Sequence, residues 1–206
     1  ISMVPEEMVV LQLEAVLDDL DIRAMKTGML GSAGMIRTVA RSLPPDLPLV
    51  LDPVMIATSG ARLLDEDAIG VLLCSLLPRA TVVTPNIPEA SVLSGMNRID
   101  SLPAMREAGR TILDLGPDFV VMKGGHLPEE EAVDVLVGPR TELVLRGPKY
   151  PYEVHGSGCC FSAAMTGYLA LGCTVEEAFR KAKGCVDGAI REAVPGRSGK
   201  RSVRAG

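Results

Sequence analysis

The sequence predicts an α/β protein of three layers, αβα, with a mostly parallel sheet covered on both faces by helices. Three observations carry that expectation. Short apolar runs alternate with helical segments along the chain, as strands alternate with crossover helices in parallel sheets. The runs are largely apolar throughout, as strands buried on both faces require. Each run then ends in a polar turn rich in glycine or proline: Lys26-Thr27-Gly28, Asp52-Pro53, Thr84-Pro85-Asn86 and Lys123-Gly124-Gly125. In open α/β sheets the carboxyl ends of the strands are where ligands bind.

Taken in order, the apolar positions Val9, Leu11, Leu13, Val16, Leu17 and Leu20 recur at helical spacing. Residues 22–25 then form a short strand running into Lys26. Ser32–Leu43 is helical and is ended by Pro44-Pro45; Leu47–Asp52 is the next apolar run. Asp65 is the expected N-cap of a helix reaching Leu77, which Pro78 stops. Ala80–Thr84 is a strand, and Ile87–Leu93 and Pro103–Leu115 are helices, the second ended by Gly116-Pro117. Asp118–Lys123 is a further strand. Ala132–Val137 and Thr141–Arg146 make a hairpin around Gly138-Pro139, and helices Ser157–Leu171 and Val175–Val194 close the domain. Residues 1–194 form the domain, and 195–206, small, polar and basic, are expected as a flexible solvated tail.

Composition narrows the function. Lys+Arg number 21 against Asp+Glu 26, a net charge of −5, and aromatic residues make up 3%. A nucleic-acid binder would show a basic face or stacking platforms, so nucleic acid is not an expected partner. No apolar run approaches the ~20 residues of a membrane span, and Ile1–Met8 has neither the basic start nor the cleavage pattern of a signal peptide. The opening on Ile1 points to a start further upstream. Five cysteines, an odd number without CxxC spacing, and only two histidines argue against structural zinc and for a reducing compartment, here the cytoplasm.

The sharpest segment is His155-Gly156-Ser157-Gly158-Cys159-Cys160-Phe161-Ser162, a glycine-rich turn opening directly into an apolar helix. Free backbone N–H groups and the positive end of the helix dipole receive an anion there, and glycine lets a phosphate come close. Neither GxxxxGK[ST] nor GxGxxG occurs, so the segment is not a P-loop or a dinucleotide fingerprint. With four polar strand ends converging, a nucleotide or phosphorylated ligand is expected.

The motifs Lys26-Thr27-Gly28-Met29-Leu30, Leu51-Asp52-Pro53-Val54-Met55, Thr84-Pro85-Asn86-Ile87-Pro88-Glu89-Ala90, Met122-Lys123-Gly124-Gly125-His126 and His155-Gly156-Ser157-Gly158-Cys159 resemble, in order and spacing, one family. It is the hydroxymethylpyrimidine/phosphomethylpyrimidine kinase family of thiamine biosynthesis, in the ribokinase-like superfamily, and the resemblance runs from about Pro5 to Ala193. It implies ATP and Mg²⁺ as cofactors, a small pyrimidine as substrate, and a homodimer. Gly156, Ser157 and Gly158 would form an anion hole for the transferring phosphoryl group, and Lys123 would contact the ATP phosphates. Cys159, in the place where most ribokinase-like enzymes carry an aspartate base, would take the proton; a helix N-terminus favours its thiolate. Asp52, Asn86 and Glu89 would organise Mg²⁺, mostly through waters. Met29 and Val54 would line the pyrimidine pocket.

Duller roles compete with each of these. Asp52 before Pro53 can cap a turn, and Lys123 can be a surface lysine. Cys74, Cys160, Cys173 and Cys185 read as small core residues, the histidines as turn-stabilising, and the methionines as adaptable core. Members of the family begin with a further strand and a glycine-rich AGSD-like segment; about two N-terminal βα units of that pattern are expected to be missing here. Pyridoxal kinase is the nearest alternative activity, usually with aspartate in place of Cys159, and a nucleotide-binding module without catalysis is the alternative from another class.

Overall fold

A computed structural model of the chain describes residues 3–55, 63, 64, 66–125, 127, 128, 130–152, 154–197 and 199–204. Asp65, the expected helix cap, and His126, expected to steady a turn, lie outside them. Among the described residues the main sheet has six strands, side by side in the order in which the chain makes them. Strands β1 (Met25–Thr27), β2 (Leu49–Leu51), β3 (Val82–Val83) and β4 (Phe119–Gly124) are parallel. The hairpin of β5 (Glu131–Val137) and β6 (Glu142–Pro148) extends the sheet antiparallel from β4.

Helix α1 (Glu6–Asp19) precedes β1; α2 (Ala33–Ser42), α3 (Glu66–Ser75), α4 (Ile87–Ser94) and α5 (Leu102–Leu113) fill the crossovers between parallel strands. Parallel strands added always in the same direction by right-handed crossovers place all their helices on one face. That is where the larger core lies: Ile36, Leu72, Leu93 and Ile112 pack there with Leu49, Leu51 and Val83. The other face is left to α6 (Ser157–Ala170) and α7 (Val175–Arg191), which cover Val50, Val82, Val121 and Leu136 with Phe161, Met165 and Phe179. Leu49 and Leu51 serve one core and Val50 the other, so a three-residue strand is buried on both sides, as its apolar sequence required.

The caps follow the sequence. Ser32 accepts from the Met35 N–H at the start of α2, and Ser101 does the same for Ala104 at α5. Pro78 ends α3 in a short 3₁₀ turn, Leu77–Arg79, whose Arg79 guanidinium reaches back to the carbonyls of Ala40 and Leu43 at the end of α2. Val9 and Leu13 of α1 rest against the larger core, while Leu11, Val16 and Leu20 stay exposed.

The basic end of the chain departs from expectation. It stays largely exposed but has regular structure: β8 (Val194–Pro195) and β9 (Arg201–Ser202) fold back, and β9 pairs in parallel with β7 (Val154–His155). Arg201 donates to the Ala193 carbonyl at 2.8 Å and lies 4.4 Å from the centre of the Tyr152 ring, so one of its basic residues is spent on the fold.

Candidate active site

The ends of β1 to β4 meet at Asp52, which follows β2 and is 2% exposed. Alternation along the strand turns it to the same face as Val50, toward α6. Its Oδ1 receives the Lys123 ammonium at 3.0 Å and the Thr84 hydroxyl at 3.4 Å. Its Oδ2 receives the Ser162 hydroxyl at 2.9 Å and lies 3.9 Å from Lys26 Nζ. A buried carboxylate is tolerated only when paired and hydrogen-bonded in this way. The reading of Asp52 as a mere turn cap is therefore replaced by that of a hub joining β1, β2, β3, β4 and α6.

Gly156 is the N-cap of α6 and takes a left-handed conformation (φ 88°), which a side chain would strain. The chain can thus turn from β7 straight into the helix, with the first-turn N–H groups of Ser157 and Gly158 at its open end. A Cβ on Gly158 would stand 3.3 Å from Lys123 Nζ, so the lysine and the glycine-rich turn face one another closely. Gly124 carries the same strand end: a Cβ there would collide with the Val133 carbonyl, and its N–H is held by Asp134 Oδ1 at 3.0 Å. Cys159 lies one residue on, in the first turn of α6, and is exposed.

Asn86 and Glu89 come to the same place by a different route. Asn86 bridges to Lys123 beside β4 and caps α4, its Oδ1 accepting from the Glu89 N–H at 2.9 Å. Glu89 Oε2 accepts from the Asn86 N–H at 2.8 Å, which completes a capping box. Burial pushes the Glu89 carboxyl above its ordinary range, and the nearby Lys123 ammonium opposes it. The amide of Asn86 is therefore engaged in shaping the helix start. The two carboxylates, Asp52 and Glu89, fit a hard divalent cation in donor chemistry. Among the described residues no three His, Cys, Asp or Glu side chains converge as a cage, and Asp52 already accepts from Lys123 and Ser162; such a cation would be held largely through its water shell.

Met29, 44% exposed, and half-buried Val54 follow the ends of the paired strands β1 and β2, on the side of the site away from β4. Reading the sequence missed Ser162, Thr84 and Lys26 as partners of Asp52. Thr84 and Lys26 stood in the strand-end motifs and were open to inference; Ser162, in an apolar helix, was given no role. Cys74 and Cys185 are exposed, not core, since each sits on an outward face of its helix; Cys160 and Cys173 are half-buried. His155 is exposed, and its carbonyl accepts from the Val203 N–H.

A glycine-rich helix start facing a lysine, with one carboxylate at a strand end and another in the first turn of the crossover helix α4, is the equipment of a phosphotransferase, and the layers around it are those of the ribokinase-like kinases. The chain belongs to the phosphomethylpyrimidine kinase family, which it matches over residues 1–204. It is 41% identical over 193 residues to the hydroxymethylpyrimidine/phosphomethylpyrimidine kinase of Streptomyces coelicolor, covering 93% of this chain and 71% of that protein. It is also 42% identical over 195 residues to the thiamine biosynthesis bifunctional protein ThiED of Geobacter sulfurreducens, covering 93% of this chain but only 40% of that longer protein. Among solved structures, the ADP complex of Bacillus subtilis pyridoxal kinase superposes with a TM-score of 0.90 at 37% identity, covering 99% of this chain and 77% of the other. The phosphomethylpyrimidine kinase of Clostridium difficile gives 0.77 at 41% identity, with 91% and 77% covered.

Proposed function

We propose that this chain transfers the γ-phosphoryl group of ATP to 4-amino-5-hydroxymethyl-2-methylpyrimidine, and then a second phosphoryl group to the resulting monophosphate, in the cytoplasm. The observation that carries the reading is the approach of Lys123 to Gly158 across Asp52, which couples a cation to an anion-binding turn. The names of the relatives supply the substrate.

In this reading the N–H groups at the Gly156–Gly158 turn and the Lys123 ammonium hold the γ-phosphoryl oxygens, where charge is spread during transfer. Asp52 keeps Lys123 in place, and Ser162 keeps Asp52 in place. Cys159, exposed on the open side of the turn, accepts the proton of the attacking hydroxyl. Met29 and Val54 offer apolar surface to the pyrimidine. Mg²⁺, held through water by Asp52 and Glu89, would neutralise phosphate charge when bound. The five free thiols suit a reducing compartment, among the described residues no helix is long and apolar enough to cross a membrane, and a homodimer is what the family resemblance implies.

A second reading, pyridoxal kinase, is favoured by the 41% identity to Bacillus subtilis pyridoxine kinase over 189 residues. ADP release, measured with Mg²⁺ and ATP against the pyrimidine alcohol, its monophosphate and pyridoxal in parallel, separates the two. Turnover of both pyrimidines is expected; turnover of pyridoxal alone overturns the assignment, and nucleotide binding without transfer would leave only a binding module.

A further inference from the structure

Asp52 is flanked by two lysines, and only one is used by the transfer just described. Lys123 meets Oδ1 at hydrogen-bond distance and stands beside Gly158. Lys26 approaches the other side, 3.9 Å from Oδ2, too far for a hydrogen bond. Asp52 is its only polar partner among the described residues. Its ammonium thus keeps its N–H donors, and its side chain is 24% exposed, open to a ligand. The following turn leaves room for it: a Cβ on Gly28 would stand 3.2 Å from Lys26 Nζ.

The two cations lie at opposite ends of the parallel part of the sheet. Lys123 belongs to β4, next to the anion-binding turn. Lys26 belongs to β1, three residues before Met29, on the side that the proposed function gives to the acceptor. The proposed reaction has two acceptors that differ by a phosphate. The first is a neutral alcohol; the second carries a charge of about −1.5 to −2 and must come to rest beside Asp52 and Glu89, whose carboxylates repel it. Met29 and Val54 are apolar and cannot offset that charge. A long, flexible lysine without a close partner can turn to a phosphate when one is present.

We propose that Lys26 is the specificity residue for the second transfer, binding the phosphate of the monophosphorylated acceptor. The proposal rests on the two-step kinase reading. A charge-assisted hydrogen bond of this kind is worth about tenfold to a hundredfold in affinity, and it is absent for the alcohol.

The test compares kcat/KM for the pyrimidine alcohol and for its monophosphate in the full chain, with Lys26→Met and Lys26→Arg beside the unaltered protein. Lys26→Met should lower the monophosphate-to-alcohol ratio at least about tenfold, chiefly through KM, and Lys26→Arg should recover most of it. Calorimetric Kd values for the two pyrimidines, which need no turnover, should show the same selective loss. An equal loss for both acceptors, or an unchanged ratio, overturns the proposal. Turnover of pyridoxal alone by the unaltered protein defeats the kinase reading instead, and is recognised before any variant is made.

Discussion

Lys123 Nζ stands 3.0 Å from Asp52 Oδ1, a pair made between residues 71 apart in the chain, one just beyond β2 and the other on β4, strands that are not neighbours. Strand β3 intervenes, and its Thr84 hydroxyl reaches the same oxygen. The pair therefore spans the end of the sheet and carries charge from β2 to the glycine-rich turn.

Lys123→Met should lower kcat about 10²- to 10³-fold, the range typical of removing one preorganised group that stabilises transition-state charge. It should also lower stability by about 1–3 kcal/mol, because a buried carboxylate loses its closest partner. Steady-state kinetics and urea unfolding check the two effects; a kcat within threefold of the original would remove Lys123 from the transfer step.

Ser162 is fully buried, within 2.9 Å of Asp52 Oδ2 and 3.1 Å of the Cys159 carbonyl. It ties the carboxylate to the first turn of α6. Ser162→Ala is expected to cost about 1–3 kcal/mol and about 10- to 100-fold in turnover, as loss of an orienting partner commonly does. Stability lost with turnover intact would make Ser162 a packing residue only.

Cys159 is exposed, so Cys159→Ala should leave stability within about 0.5 kcal/mol. If the thiol is the proton acceptor, turnover falls about 10²-fold or more. Rate measurements on a variant whose unfolding midpoint is unchanged decide the point cleanly; an unaltered rate ends that role.

Behind the hairpin, Lys183 pairs with Asp134 at 2.9 Å and lies 3.7 Å from Asp187. Burial pushes the Asp187 carboxyl above its ordinary range; Lys183 opposes the shift and Asp134 adds to it. The folded state therefore binds this proton more tightly than the unfolded state, and the carboxyl's contribution to stability falls as pH rises through the raised value. Asp187→Asn should be more stable than the original at pH 7, with the advantage shrinking as pH falls toward 4. Urea midpoints across that range test it, and an advantage that grows on acidification would refute it.

Much of this was legible in the residues. Apolar runs closed by Lys-Thr-Gly, Asp-Pro, Thr-Pro-Asn and Lys-Gly-Gly marked the four parallel strands, the first expected at 22–25 but formed at Met25–Thr27, because proline and glycine mark where a buried strand must turn. The hairpin and the start of α6 followed from the same chemistry. Ser162 did not, because a serine in an apolar helix carries no sign of a partner on a distant strand. The spacing of Asn86 and Glu89 is that of a capping box, a local meaning overshadowed by the expected metal role. Cysteine has no polarity by which sequence can tell the exposed Cys74 and Cys185 from core residues. The two-residue strands β8 and β9 are too short for any period, and their basic surroundings spoke of charge rather than pairing.

That last pairing has a practical consequence. Val203 donates its N–H to the His155 carbonyl, and its side chain lies 3.2 Å from where a Cβ on Gly156 would be, so β9 and the residue after it are stitched to the glycine-rich turn that opens α6. A protease nick at exposed Arg197, remote in sequence from every strand-end motif, would sever that stitch. If the turn holds nucleotide as proposed, the cut would register as weakened nucleotide binding before any loss of the core, making limited proteolysis a probe of that turn.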